Sequence, residues 1–226
     1  MLSTPHLFTT IKVINGNPIA FNQHLEKLKM DYASLFKKEL TVDEDEIMDQ
    51  LKQDRYQKGV WRLNIFTEKN SYYRLTQEPP LKKKSFSIKI YPKPFYEKFP
   101  MFKKQNFSQR MTLLEEAHEQ GYDDYLFTDE NGFFLETCIC NIFWIKDKTV
   151  YTPSHKLPLY RGITLQNTLK SLEKMGYEIR EIFEKDLSNL SNSNLFVCNS
   201  MKGLIPVNQL NDLELKLAII DALQST

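Results

Sequence analysis

The sequence predicts a mixed α+β protein of two domains. Segments with the alternating pattern of β-strands and segments with the apolar spacing of helices follow one another along the 226 residues. A stretch with three prolines around residues 92–102 interrupts this pattern and favours an extended connector over a helix or a central strand. We therefore place a small N-terminal α+β domain at residues 1–97 and a larger C-terminal domain at residues 98–226.

The first domain is predicted to open with a β-hairpin. Residues 7–14 are β-branched and aromatic, and Asn15-Gly16 is a strong turn signal before a second strand at residues 18–20. Asn22 is the expected cap of a helix that follows, and the helical spacing of its leucines predicts one buried face. The other predicted elements are a helix over residues 43–51 and half-buried strands over residues 60–66, 72–77 and 86–91.

The second domain is predicted to begin with a helix over residues 107–119 and a strand over residues 125–127. Gly176 is the expected C-cap of a later helix over residues 164–175. The remaining predictions are a turn at Asn131-Gly132, strands around Phe134 and over residues 142–145, 177–182 and 195–198, and an amphipathic helix over residues 212–223.

Composition and charge exclude several classes of function. With 30 Lys and Arg against 29 Asp and Glu, the formal net charge is +1, which gives no electrostatic reason to expect a nucleic acid partner. The longest apolar stretches, such as residues 139–145, fall far short of the ~20 residues that a membrane helix needs, so we expect no membrane partner. Three cysteines, and an N-terminal segment unlike a signal peptide, favour a reducing cytoplasm.

Metal binding and the common nucleotide motifs are also not expected. Cys138 and Cys140 are too closely spaced for a typical zinc pair, and the four histidines are scattered singly, so we interpret both cysteines as buried strand residues. The sequence contains no GxGxxG, GxxxxGK, GxSxG or HExxH motif.

Short segments along residues 7–207 together resemble one known family. They are HLEKL at residues 24–28, KKQN at 103–106, GYDDYLF at 121–127, LETCICNIF at 135–143, YTP at 151–153, LYRGIT at 159–164 and FVCNSMKGLIPV at 196–207. In this order and spacing they resemble the fold type IV enzymes that depend on pyridoxal 5′-phosphate (PLP), which include class IV aminotransferases and aminodeoxychorismate lyase. The resemblance implies a fold like that of D-amino acid aminotransferase, with a small N-terminal α/β domain and a larger, mostly β C-terminal domain. It also implies PLP as cofactor, a small-molecule amino substrate and a homodimer.

The resemblance implies a catalytic lysine at position 103. The family's Schiff-base lysine precedes an asparagine by three positions, and Lys103 and Asn106 fit that spacing. A Schiff-base lysine must be partly shielded so that its amine is neutral and nucleophilic. The neighbouring Lys104 is the alternative, and a solvated pair of basic residues is the interpretation without the surrounding motifs.

The same resemblance assigns the cofactor site. Glu136 matches the family glutamate that binds the pyridine nitrogen, where a carboxylate stabilises the protonated ring. The phosphate is expected at a helix that begins near Gly162, because helix N-termini favour anions. Lys27 stands where the family has a phosphate-binding arginine, and it keeps the charge without the bidentate fork. The full expected cofactor set is Lys27, Glu136, Asn141, Ile163, Thr164, Asn199 and Ser200.

The expected reaction is that of aminodeoxychorismate lyase, in which Lys103 removes the C4 proton of 4-amino-4-deoxychorismate, pyruvate leaves and 4-aminobenzoate forms. Residues 140–144 and 198–207 resemble the lyase more than the aminotransferases. One alternative is an aminotransferase that acts on branched-chain or D-amino acids with 2-oxoglutarate, and another is a non-catalytic relative with weakened PLP binding.

Three residues of the first domain are candidates for substrate contact. Arg62 and Arg74 are expected carboxylate clamps or, equally, surface residues of their strands. Phe8 stands where several aminotransferases have an active-site tyrosine, which removes a hydroxyl group.

Overall fold

The chain folds into two compact units. The structure, a computed structural model, describes residues 6–67, 71–79, 83–98, 100–104 and 108–215. The first unit comprises Met1–Leu81 and Phe102–Phe107, and the second comprises Lys82–Met101 and Ser108–Thr226. The predicted fold type is confirmed: the architecture is mixed α+β, with the larger sheet in the second unit.

The described part of the first unit contains a four-stranded antiparallel sheet in the order β2-β1-β3-β4. Two α-helices pack on one face of this sheet, where Ile11 and Leu63 lie in a core with Leu25 and Leu51. The elements are β1 Phe8–Ile14, β2 Asn17–Pro18, α1 Phe21–Phe36, α2 Glu44–Leu51, a 3-10 helix Asp54–Tyr56, β3 Val60–Thr67 and β4 Ser71–Glu78.

The start of α1 differs from the prediction that Asn22 caps it. The N-cap is Ala20, which adopts a left-handed conformation with φ 54° and provides no side-chain cap. The chain leaves the hairpin through this residue, so the helix already includes Asn22 in its first turn. In contrast, α2 begins as its sequence suggests, because Asp43 accepts a hydrogen bond from the Glu46 amide at 2.9 Å.

In the described part of the second unit, nine strands form one sheet. Its order is β10-β9-β8-β11-β12-β5-β6-β7, and β13 pairs with β12. The pairs β9–β10, β12–β5 and β5–β6 are parallel, and the others are antiparallel. The elements are β5 Phe86–Ile90, α3 Ser108–Glu119, β6 Asp124–Thr128, β7 Phe134–Thr137, β8 Asn141–Lys146, β9 Thr149–Pro153, α4 Ile163–Lys174, β10 Glu178–Ile182, α5 Leu187–Ser191, β11 Asn194–Asn199, β12 Gly203–Leu210 and β13 Leu213–Glu214.

Two helices of this unit cover the sheet and place the residues of the site. The buried face of α3, with Leu113 and Ala117, packs against Tyr125 and Phe127 of β6. The buried face of α4, with Leu169, belongs to a separate core that includes residues of β8 and β11. These contacts fix the first turn of α4 near the end of β11.

Two predictions about elements differ in part from the structure. The strand predicted over residues 86–91 was assigned to the first unit, but β5 pairs with β12 and β6 and buries Phe86 and Ile88 in the second. Alternation predicts a strand without identifying its partners. The helix predicted over residues 212–223 does not begin as expected, because β13 turns back on β12 through a tight turn at Asn211, whose φ is 51°. Residues 216–223 lie outside the described part. No described helix is long and apolar enough to cross a membrane.

Candidate active site

The segment with Lys103 pairs with the chain at the start of β1 in the first unit. The Lys103 carbonyl accepts a hydrogen bond from the Phe8 amide at 2.9 Å, and Lys104 forms a β-bridge with Leu7. The Lys103 amine donates to Thr10 Oγ1 at 3.1 Å and lies 4.9 Å from the centroid of the Phe8 ring. Asn64 Nδ2 also donates to Thr10 Oγ1, at 2.8 Å. Lys103 therefore has its amine on the side of the sheet opposite the helices. Asn106 lies outside the described residues.

The face of the sheet opposite the helices also carries the three predicted substrate residues. Side chains alternate between the faces of a strand, so Phe8, Arg62 and Arg74 all lie on this face, across from the buried Leu63 and its neighbours. We call it the lysine face. One end of it carries a row of aromatic rings, in which the ring centroids of Phe8 and Phe66 are 5.8 Å apart.

The two arginines of the lysine face differ in their partners. Arg62 Nε donates to Glu78 Oε1 at 2.5 Å, so its charge is already paired. The guanidinium of Arg74 lies 6.0 Å from the centroid of Phe66, and no carboxylate of the described residues pairs with it. Phe66 in turn stacks on Tyr72, with 4.9 Å between ring centroids. Arg74 is therefore the better candidate for binding an external carboxylate.

The HLEKL segment places two polar residues on α1. His24 is buried, and its Nδ1 lies 2.8 Å from Thr9 Oγ1 on β1. Burial, together with the positive charge of Lys103, lowers the pKa of His24 to about 4. Lys27, half-buried, forms an ion pair with Asp31 at 3.1 Å. The charge of Lys27 is thus partly neutralised within its own helix.

In the second unit, the carboxylate of Glu136 is buried at β7. Its Oε1 accepts from Arg110 Nη2 at 2.8 Å and from the Tyr160 amide at 3.1 Å, and its Oε2 accepts from Asn141 Nδ2 at 3.2 Å. Because a carboxylate oxygen accepts about two hydrogen bonds, Oε2 can accept one more donor besides those that the described residues supply. Burial raises the pKa of Glu136, and the positive charge of Arg110 opposes that rise.

Asn141 connects Glu136 to the start of α4. Besides its bond to Glu136, its amide donates to the Tyr160 carbonyl at 2.5 Å, and its Oδ1 accepts from the Gly162 amide at 2.9 Å. A Cβ atom at position 162 would lie 2.7 Å from Asn141 Oδ1. Position 162 therefore requires glycine for this close approach, since its φ of −74° is ordinary.

The first turn of α4 forms an anion site of the predicted kind. Gly162 is the N-cap and has no capping side chain, so the amides of Ile163 and Thr164 keep their donor capacity. Thr164 Oγ1 lies 3.5 Å from Ser200 Oγ, which brings the two expected hydroxyl donors together. Asn199 shapes the turn that carries Ser200, because its Oδ1 accepts hydrogen bonds from the amides of Met201 and Lys202, at 3.0 and 2.8 Å.

Sequence reasoning missed two side chains of this arrangement. Arg110 lies on the apolar face of α3, at helical spacing from Leu113 and Leu114, and an arginine in such a row is a signal that could have found it. Thr10 follows Phe8 by two positions on a strand, so the two share a face. Cys138, Cys140 and Cys198 are free and buried, and the described residues contain no cluster that could hold a metal ion.

A model of the family described as amino-transferase class IV matches residues 6–210, nearly the whole chain. The chain therefore belongs to the amino-transferase class IV family. Enzymes of this family depend on PLP, so the chain is a PLP-dependent enzyme.

Two curated relatives represent different reactions of class IV enzymes. The aminodeoxychorismate lyase of Bacillus subtilis (strain 168) is 24% identical over 234 residues, which cover 91% of this chain and 78% of the relative. A protein of Rickettsia felis, named "Probable branched-chain-amino-acid aminotransferase", is 39% identical over 75 residues, which cover 33% of this chain and 26% of the relative. At these identities and lengths the matches support the family and leave the reaction open.

Two solved structures show the same fold as this class IV enzyme. The fold IV-transaminase CpuTA1 of Curtobacterium pusillum superposes with a TM-score of 0.86 at 18% identity, covering 98% of this chain and 85% of that one. A hypothetical aminotransferase of Mycobacterium tuberculosis, in its form with α-ketoglutarate and PMP bound, gives a TM-score of 0.87 at 16% identity, covering 98% and 86%.

The donor and acceptor groups of the second unit fit PLP. Glu136 Oε2 retains an acceptor position for a protonated ring nitrogen, and the uncapped start of α4 offers amides and two hydroxyls to a phosphate.

The close approach of Asn141 Oδ1 to Gly162 should affect the stability of the protein without cofactor. Replacement of Gly162 by Ala should lower the free energy of unfolding by about 1–3 kcal/mol, because the new Cβ overlaps Asn141 Oδ1. The measurement is urea unfolding of Gly162→Ala, Asn141→Ala and the double variant. The double variant should lose less than the sum of the two losses, because Asn141→Ala removes the overlapping atom. Additive losses would contradict this account of Gly162.

The buried His24 should make the first unit sensitive to acid. Its pKa is about 4 in the folded protein and 6.5 in the unfolded chain, so the unfolded chain binds more protons as the pH falls between these values. Stability should therefore fall over that interval, by up to about 3 kcal/mol. The measurement is the free energy of unfolding in urea at neutral and at acidic pH. His24→Gln should reduce the difference between the two values, whereas the control His118→Gln, at an exposed position, should leave it unchanged. An NMR titration of His24 with an ordinary midpoint would refute it.

Proposed function

We propose that this class IV enzyme is a lyase that converts 4-amino-4-deoxychorismate to 4-aminobenzoate and pyruvate. The observation that carries this proposal is the lysine face, where an amine, a row of aromatic rings and the guanidinium of Arg74 share one side of a sheet. The proposed substrate is a ring with carboxylate groups, and such a molecule suits aromatic stacking beside a guanidinium. The match to the Bacillus subtilis lyase, over 91% of the chain, adds support.

We propose that Lys103 rather than Lys104 holds the cofactor and removes the C4 proton. The Lys103 amine lies beside Thr10 and Phe8. Lys104 forms a β-bridge with Leu7, so the segment is locally extended and adjacent side chains leave it in opposite directions. His24 is neutral at neutral pH because of its lowered pKa, and it therefore adds no positive charge near the amine.

The remaining groups bind and orient the cofactor in this proposal. When bound, PLP supplies an electron sink for the electrons that a departing proton leaves behind. Glu136 Oε2 would accept a hydrogen bond from the protonated ring nitrogen, while the α4 amides and the hydroxyls of Thr164 and Ser200 would bind the phosphate. Asn141 and Asn199 position these groups through their hydrogen bonds. Lys27 stands where the family has its phosphate-binding arginine. We further propose a cytoplasmic homodimer that acts in folate biosynthesis.

Two other functions have specific support. An aminotransferase of branched-chain or D-amino acids with 2-oxoglutarate is favoured by the 39% identity to the Rickettsia felis protein over 75 residues. A non-catalytic relative with weak cofactor binding is favoured by the ion pair of Lys27 with Asp31, which reduces the charge available to a phosphate.

Product analysis separates the two reactions. The purified protein with PLP should release equal amounts of 4-aminobenzoate and pyruvate from 4-amino-4-deoxychorismate, measured by chromatography and a coupled pyruvate assay. Arg74→Gln should raise KM at least tenfold, because a lost charged hydrogen bond costs about 1.5–3 kcal/mol, whereas Arg62→Gln should have a smaller effect. Faster turnover of an amino acid with 2-oxoglutarate would assign the aminotransferase reaction instead.

The identity of the catalytic lysine has its own test. The protein with PLP should show a visible absorption band that borohydride bleaches, and mass spectrometry should locate the reduced cofactor on Lys103. Lys103→Ala should abolish the band, and Lys104→Ala, the matched control, should retain it. The reverse pattern would assign Lys104, and no band in the unaltered protein would favour the non-catalytic relative.

A further inference from the structure

A buried ion cluster lies behind Glu136. Arg110 is 6% exposed, and its two carboxylate partners, Glu97 and Glu136, are 14% and 7% exposed. Nη2 of Arg110 donates to Glu136 Oε1 at 2.8 Å and to Glu97 Oε2 at 2.9 Å, and Nε donates to the same Glu97 oxygen at 3.1 Å. Nη1 donates to the Thr137 carbonyl at 3.1 Å. The guanidinium is therefore fixed in position by partners on several sides.

The cluster places one guanidinium between two carboxylates. A buried charge is less costly when an opposite charge lies beside it. A protonated ring nitrogen at the open acceptor position of Glu136 Oε2 would be a second positive charge beside this carboxylate.

The position of Arg110 favours one of two proton arrangements. Burial alone favours a neutral carboxylic acid beside a neutral ring nitrogen, since both forms avoid charge in a low dielectric. Arg110 contacts Oε1 of Glu136, whereas the open position is on Oε2, so the guanidinium is nearer to the carboxylate than to a ring nitrogen. Its charge therefore stabilises the ionised carboxylate more than it destabilises a protonated ring.

We infer that Arg110 is a positioning residue that keeps Glu136 ionised and thereby holds the ring nitrogen of bound PLP in its protonated form. The inference rests on the proposed role of Glu136. Glu97 orients the guanidinium from the other side. Another buried carboxylate nearby, Asp124, accepts from Thr137 Oγ1 at 2.7 Å and from the Cys138 amide at 2.9 Å, and it is not bonded to Arg110.

The test is the protonation state of the ring nitrogen, observed by 15N NMR of the enzyme loaded with PLP labelled at that atom. The unaltered enzyme should show the protonated form from mildly acidic to mildly alkaline pH. In Arg110→Gln, which keeps a hydrogen-bonding side chain without the charge, the midpoint of deprotonation should fall by about one to three pH units, the usual effect of one opposite charge. Arg110→Lys, which keeps the positive charge, should bring the midpoint most of the way back to that of the unaltered enzyme.

Glu97→Gln is the matched control, because it removes an ion pair of the same arginine and leaves the contact between Arg110 and Glu136. The ring nitrogen should stay protonated in this variant, although thermal unfolding should show a loss of stability. An equal shift in Glu97→Gln and Arg110→Gln would mean that loosened packing causes it and would overturn the inference. A neutral ring nitrogen in the unaltered enzyme would overturn it even if Arg110→Gln does not fold.

Glu136→Gln distinguishes this inference from the proposed function. A changed 15N resonance in Glu136→Gln with an unchanged one in Arg110→Gln would overturn the role of Arg110 alone. An unchanged resonance in Glu136→Gln would overturn the role of Glu136 itself, and with it the inference.

Discussion

The second unit of this class IV enzyme depends on one buried carboxylate. Glu136 binds three other segments: α3 through Arg110, the loop before α4 through the Tyr160 amide, and β8 through Asn141. Asn141 then binds Gly162, which begins α4. The requirement that a buried carboxylate be satisfied by donors therefore also fixes the first turn of α4 and the amides that suit a phosphate.

In the first unit, the alternation of side chains along strands has the corresponding effect. Ile11 and Leu63 form the core with the helices, and consequently Phe8 and Thr10 lie on the other face. The segment of Lys103 pairs with the chain at Phe8, so the Lys103 amine lies beside Phe8 and Thr10, on the face of the sheet away from the core. The same pattern that buries the core thus collects polar and aromatic groups on the lysine face.

Much of this could be predicted from the sequence, because it depends on local patterns. The periods of strands and helices predicted β1, β3, α2 and α4 to within a few residues. The order of the motifs predicted the family, and it predicted Thr164 and Ser200 as joint phosphate ligands, whose hydroxyl oxygens lie 3.5 Å apart. What depends on distant partners was missed. The left-handed turn at Ala20, the partners of β5 and the return of β13 all follow from tertiary packing that overrides local preference. Arg110 was missed because it lies between the KKQN and GYDDYLF segments and belongs to none of the motifs.

The choice of reaction depends on the lysine face more than on the cofactor groups. Proton removal by a lysine and stabilisation of a protonated ring serve a lyase and an aminotransferase equally, so the roles proposed for Lys103 and Glu136 do not discriminate between them. Discrimination requires groups that prefer one substrate's shape and charge. Arg62 is held by Glu78, and its use would require breaking that pair, whereas Arg74 lies beside Phe66 without such a cost. In the proposed lyase, the ring acid would therefore contact both Arg74 and the aromatic row, whereas an aliphatic amino acid would gain only the first of these contacts.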